Sequence, residues 1–276
     1  MNSNLPIGVF DSGMGGLTVL RALRRRLPHE SAIYLGDTAR LPYGTKSADS
    51  VIRYALQATE HLAERGVKML VIACNTASAV SLDPLHERFA PLSVVGVVEP
   101  GAAAAVAASR TQRHLVLATE STVKRHAYAH AIRALSPKAV VDERACSLFV
   151  ALAEEGWTDG AIPESIARAY LAPALTGLNG ADSTAPDTVV LGCTHFPLLE
   201  DAIRAALGPG PAIVDSASTT AEAVARLLEQ AGGLNTSPRP GTLQLLATDG
   251  ADRFASVGSR FLGETIRPSD VEIVDL

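Results

Sequence analysis

The chain has 276 residues, 47% hydrophobic and 19% charged, with a net charge of −5. That is enough chain to bury a sizeable core, in one large domain or two smaller ones. The acidic balance argues against a sequence-independent hold on nucleic acid, three cysteines do not make a disulfide framework, and no apolar stretch is long enough to span a bilayer.

The first apolar run, IGVF, meets Asp11 too early for an export signal, so a cytoplasmic protein with reduced thiols is expected. FDSGMGGLTVL then places Asp11 and Ser12 where a strand passes through glycines into a helix. Backbone N–H groups there suit an anion, although a tight strand-to-helix turn explains the same residues. Gly13, Gly15 and Gly16 fit neither the P-loop nor the dinucleotide spacing. The basic run RALRRRLP (Arg21–Pro28) reads as the solvated face of that helix.

After the strand AIYL, the loop GDTARLPYGTKS brings Tyr43 and Gly44 to a place where they line a pocket or simply turn the chain. The next helix starts near Ser47 or Asp49 and stops at Gly66, with Val51, Ile52, Ala55, Leu56, Leu62 and Ala63 on its buried stripe. MLVIA runs into Cys74, Asn75 and Thr76. SVVGVV, LVLA (leading to Thr119 and Thr122), AVVD, TVVLG, AIVD and LQLLA follow as further strands. They are continuous apolar runs, as in parallel sheets covered on both faces. The alanine-rich GAAAAVAAS is too short to cross a membrane. Gly177–Asp187 reads as a surface loop. TVVLG ends in Cys193, Thr194 and His195.

The two halves echo each other. In each, an early strand ends in small hydroxyl or acidic residues, Asp11 or Thr119, and a later one ends in a cysteine followed by polar groups. Two similar flavodoxin-like α/β domains with mainly parallel sheets are expected, with the active site in the cleft between them. Residues 1–98 and 210–276 form the first domain and 99–209 the second, with cuts near Glu99–Gly101 and Gly208–Pro211.

Cys146, among apolar helical neighbours, reads as packing. Cys74 and Cys193 differ, because each is followed by hydrogen-bonding residues where a helix begins, a setting that favours the thiolate. Bringing a thiol from about 8.5 to about 7 needs roughly 2 kcal/mol of preferential stabilisation. A redox pair, a zinc site of Cys74, Cys193, His195 and Asp11, and acid–base chemistry from two sides of a small ligand all use such residues. The paired spacings of redox and zinc motifs are absent. A two-domain binding protein without chemistry is the alternative of another class.

GVFDSGMGGLTVL, YLGDTARLPYGTKS, VIACNTASA, GVVEPG, ATESTVK and LGCTHFPLL, in this order, closely resemble the glutamate racemases of the aspartate/glutamate racemase family. The likeness runs to at least Asp215–Ala217, and Met14 stands where an aliphatic residue is more usual. It implies an enzyme without cofactor or metal, in which Cys74 and Cys193 transfer the proton, serving the D- and L-enantiomer respectively as abstractor. It implies that Asp11 and His195 assist them. Ser12, Tyr43, Gly44, Asn75, Thr76, Thr122 and Thr194, with Asp11 and His195, would hold the substrate. It further implies a cytoplasmic enzyme, often a homodimer, that supplies D-glutamate for peptidoglycan, with neither nucleic acid nor membrane as partner.

Overall fold

The computed structural model describes residues 2–175 and 185–276. The chain begins with β1 (Ile7–Asp11), α1 (Leu17–Arg26), β2 (Ala32–Gly36), α2 (Ala48–Glu64), β3 (Met69–Ile72), α3 (Asn75–Phe89) and β4 (Ser93–Gly96). It continues with α4 (Val98–Ala108), β5 (Arg113–Ala118), α5 (Glu120–Lys124), α6 (Ala127–Leu135), β6 (Val140–Ala145) and α7 (Ser147–Glu155). Then come α8 (Ala161–Leu175), β7 (Thr188–Gly192), α9 (Glu200–Leu207) and β8 (Ala212–Asp215). α10 (Ser216–Gln230), β9 (Leu243–Ala247), α11 (Ala251–Leu262) and β10 (Val271–Ile273) complete it. Two compact units result, Met1–Val97 with Ala217–Leu276, and Val98–Ser216.

In the first unit the sheet order is β10-β9-β2-β1-β3-β4, and every pair is parallel. All five residues of β1 are buried, so both faces of the sheet are covered. Phe10 joins Ile33, Leu35, Leu70 and Ile72 in one cluster with Val51, Ala55 and Leu62 of α2. α2 begins where its sequence says it should. Ser47 is the N-cap, its hydroxyl accepting from Ser50 N at 3.4 Å. Gly66 lies just beyond the helix at φ +75, and a left-handed residue ends a helix most easily as glycine.

The second unit has the sheet order β6-β5-β7-β8, again all parallel. Its core gathers Val98, Ala102 and Ala105 of α4, Val116 and Val190 of the sheet, and Tyr128 and Ile132 of α6. Numbered within each unit, both sheets contain the strand order 2-1-3-4 of the flavodoxin-like fold. The echo in the sequence is therefore an echo of topology.

Three expectations change. The return to the first unit falls after Ser216, not near Gly208–Pro211. The glycine–proline break only ends α9, and the strand after it, β8, pairs with β7 and so belongs to the second sheet. AVVD is not a buried run. The strand there, β6, is the edge of its sheet and has no fully buried residue, with Asp142, Glu143 and Arg144 along it, charges that blunt a free edge. β10 is a strand that the apolar pattern did not show. The loop expected over Gly177–Asp187 lies, up to residue 184, outside the described residues. No described helix is long and apolar enough to cross a membrane.

Candidate active site

In an open parallel sheet the crevice forms beyond the carboxyl ends of the strands flanking the point where strand order reverses. In the first unit those strands are β1 and β3. β1 ends on Asp11, and one residue beyond β3, past Ala73, stands Cys74.

Cys74 is the N-cap of α3. Its sulfur accepts from Ala77 N at 3.4 Å, and its thiol donates to Ser12 Oγ at 3.4 Å. The α3 N-terminus thus directs N–H dipoles at the sulfur, a setting that favours negative charge. Asp11 is buried. Its carboxylate accepts from Gly13 N at 3.0 Å, and the Tyr34 hydroxyl lies 3.4 Å away. The chain turns here because glycine allows it: a Cβ on Gly16 would stand 2.6 Å from Asp11 Cβ and 2.9 Å from Ala73 Cβ. Asn75 and Thr76 are buried in the first turn of α3. Met14 is buried too, so an unbranched side chain fills the aliphatic place.

Tyr43 is placed differently from a free ligand-binding hydroxyl. Its OH donates to Asp37 Oδ2 at 2.5 Å, and Arg40 Nε and Thr248 Oγ1 complete that carboxylate at 2.6 and 3.0 Å. Burial first, then the Asp37 charge, push the phenol well above its ordinary range. The ring lies in the core against Phe10. Tyr43 therefore anchors the loop that carries Gly44.

In the second unit the corresponding strands are β5 and β7. After β5, Thr119 is the N-cap of α5, and its hydroxyl lies 3.1 Å from that of the buried Thr122. After β7 come Cys193 and Thr194, both buried. Cys193 does not cap an α-helix, contrary to expectation. Only the short 3₁₀ turn Phe196–Leu199 follows before α9. A side chain takes the place of the helix N-terminus. His195 Nδ1 lies 3.8 Å from Cys193 Sγ and 3.4 Å from Thr194 Oγ1, while Nε2 lies 3.3 Å from Glu154 Oε1 of α7. Burial alone would lower the imidazole. The bonds and charges of Cys193 and Glu154 outweigh it and hold the ring up to about 10. Both partners favour the protonated ring, whose Nδ1 faces the sulfur. Glu154 is the site residue that the sequence reading missed.

Cys146 is fully buried. Burial, then the charge of Cys193, push its thiol up to about 12, and its S–H donates to Arg144 O at 3.6 Å. It stays a thiol. None of the three cysteines forms a disulfide.

Each unit thus carries one cysteine at the carboxyl end of its third strand, beside a polar residue ending its first. Residues 14–224 match the family described as Asp/Glu/Hydantoin racemase. The chain belongs to that family. The glutamate racemase of Geobacter metallireducens is 47% identical over 257 residues, 93% of this chain and 92% of that protein. That of Syntrophus aciditrophicus is 44% identical over 270 residues. Among solved structures, glutamate racemase from Francisella tularensis in complex with D-glutamate is 35% identical, with a TM-score of 0.88 over 99% of this chain and 98% of that one. The Thermus thermophilus enzyme in complex with beta-chloro-D-alanine is 41% identical, with a TM-score of 0.87 over 100% of this chain and 99% of that one. The aspartate racemase of Picrophilus torridus, 16% identical at a TM-score of 0.57, shares the fold.

Proposed function

We propose that this racemase-family chain interconverts L- and D-glutamate without a cofactor, using Cys74 and Cys193 as paired acid and base. The observation that carries the proposal is the equivalent station of the two thiols, each just past the third strand of a flavodoxin-like sheet. Family relatives named glutamate racemase, similar over nearly the whole chain, support glutamate as the substrate. Domain limits near those of the two units belong to this proposal.

Racemisation at Cα removes a proton from one face and returns one to the other. With D-glutamate, the Cys74 thiolate takes the Cα proton and the C–H electron pair moves into the α-carboxylate. The Cys193 thiol then delivers its proton to the opposite face. Cys74 ends as a thiol and Cys193 as a thiolate, and nothing is oxidised or reduced. L-Glutamate runs the same steps backwards, so each sulfur must be stable in both forms. Asp11 assists on the Cys74 side. On the Cys193 side the His195 imidazolium is held by Glu154. Ser12, Asn75, Thr76, Thr122, Thr194 and the Tyr43–Gly44 loop hold the ammonium and carboxylates, as fixed donors that meet charge as it develops. A cytoplasmic homodimer supplying D-glutamate for peptidoglycan is the setting that follows.

Chiral chromatography of L-glutamate incubated with the purified chain and no added cofactor tests this. D-Glutamate should form, and Cys74→Ala and Cys193→Ala should each abolish its formation. Tight binding without turnover would leave a binding protein instead, and faster turnover of L-aspartate would replace the substrate.

A further inference from the structure

The basic run on α1 has no part in the proposed chemistry. Arg21, Arg24 and Arg25 stand at i, i+3 and i+4 and so share one helix face. They line a pocket of about 250 Å³ together with Glu30, Gly241 and Glu264, near the lower end of small-molecule sites. Cations at a helix C-terminus complement its dipole. That explains three arginines in the last turn, but neither Arg21, one turn earlier, nor their convergence on a cavity.

The pocket is a built feature of the first unit. Among its lining residues backbone packs on backbone: Gly241 N donates to Pro28 O at 3.0 Å, and a Cβ on Gly241 would fall 1.9 Å from Glu30 O. Gly263, at φ +76, ends α11 and lets Arg21 lie over it, its Cδ 3.3 Å from where a Cβ would stand. Glu30 is neutralised from behind by the buried Lys68, whose Nζ lies 2.5 Å from Oε2, and its other oxygen accepts from Asn235 N at 2.7 Å. Glu264 pairs with Arg24 at 2.8 Å. Arg25 is exposed and has no ion-pair partner among the described residues. With Lys68, four cations stand against two carboxylates. Guanidinium groups present paired donors in a plane, which suits the oxygens of phosphate.

The pocket lies at the amino edge of the sheet, where Glu30 precedes β2 and Gly241 precedes β9. Asp11 and Cys74 lie at the carboxyl edge. We propose that it is a second ligand site, separate from the candidate active site, that takes the phosphate group of a small phosphate-bearing anion. The proposal does not depend on the racemase reading.

Isothermal titration of the full chain with inorganic pyrophosphate, at constant ionic strength, tests it. One saturable site is expected, with or without saturating L-glutamate. Arg25→Ala should weaken it by about tenfold or more, the loss of one charge-assisted bond. Arg133→Ala removes the same charge from the second unit and should leave the affinity within about twofold. Glu264→Gln should tighten binding. No saturable binding up to about 10 mM pyrophosphate, equal weakening in Arg25→Ala and Arg133→Ala, or weaker binding in Glu264→Gln would overturn the proposal.

Discussion

Glu154→Gln keeps the shape of the group behind His195 and removes its charge. In the native site Glu154 Oε1 and Cys193 Sγ flank the ring at 3.3 and 3.8 Å. Against the penalty of burial they raise the imidazole from 6.5 to about 10, a net preference for the cation of roughly 5 kcal/mol. A hydrogen bond to a charged group contributes about 1.5–3 kcal/mol. Losing that share should bring the midpoint down by about one to two pH units, to between roughly 8 and 9. Nitrogen-15 NMR of the labelled imidazole reads this directly. Kinetics carries a second signature. L- and D-glutamate have equal free energies, so kcat/KM must be the same in both directions in every variant, and its alkaline limb should move down equally for both. A His195 midpoint that stays near 10 in Glu154→Gln would show that the carboxylate does not hold the ring.

Cys146→Ser should leave kcat/KM within about twofold of the parent, because this thiol is held protonated by burial; the oxygen can keep the bond to Arg144 O, and the Tm should fall by a few degrees as a buried sulfur becomes a hydroxyl. Gly16→Ala should lower stability by roughly 1–3 kcal/mol, read by urea denaturation, and depress activity with it, since the added methyl meets Asp11 and Ala73 at under 3 Å. His114 on β5 is buried, neither ring nitrogen has a partner among the described residues, and burial lowers its pKa despite Asp187. The unfolded chain therefore takes up this proton first. Its contribution to stability is full above about pH 6.5 and is lost as pH falls below that value. The difference in unfolding free energy between the parent and His114→Leu should shift against the parent from pH 7 to about 5, and a difference that is flat with pH would remove His114 from the account.

Much of the fold was legible because strands buried on both faces must be apolar throughout, and the runs from IGVF to LQLLA say so. Ser47 and Gly66 marked the ends of α2 for equally local reasons, a side-chain cap and a left-handed stop. The two cysteine stations were legible because each apolar run breaks into polar residues at a strand end. What escaped was non-local. β8 belongs to the second sheet because it pairs with β7, and a Gly-Pro break reports only where a helix stops. β6 has no fully buried residue because it is an edge, and an apolar VV pair does not record which strand lies outermost. Glu154 sits in ALAEEG, a segment whose visible signal is helical packing, and only the fold brings α7 against the turn after β7. The different neighbours of the two sulfurs, a helix N-terminus for Cys74 and the His195 ring for Cys193, follow from that turn. They could not be read from two motifs that look alike.

The most direct test of the two-thiol mechanism is the fate of the α-hydrogen at early conversion of L-glutamate in deuterated water. Two opposed thiols predict that the D-glutamate formed carries solvent deuterium at Cα, while the unreacted L-glutamate keeps its original hydrogen. D-Glutamate that retains the substrate's hydrogen, or an L-glutamate pool labelled as fast as product appears, would mean that one group serves both faces and would contradict the account.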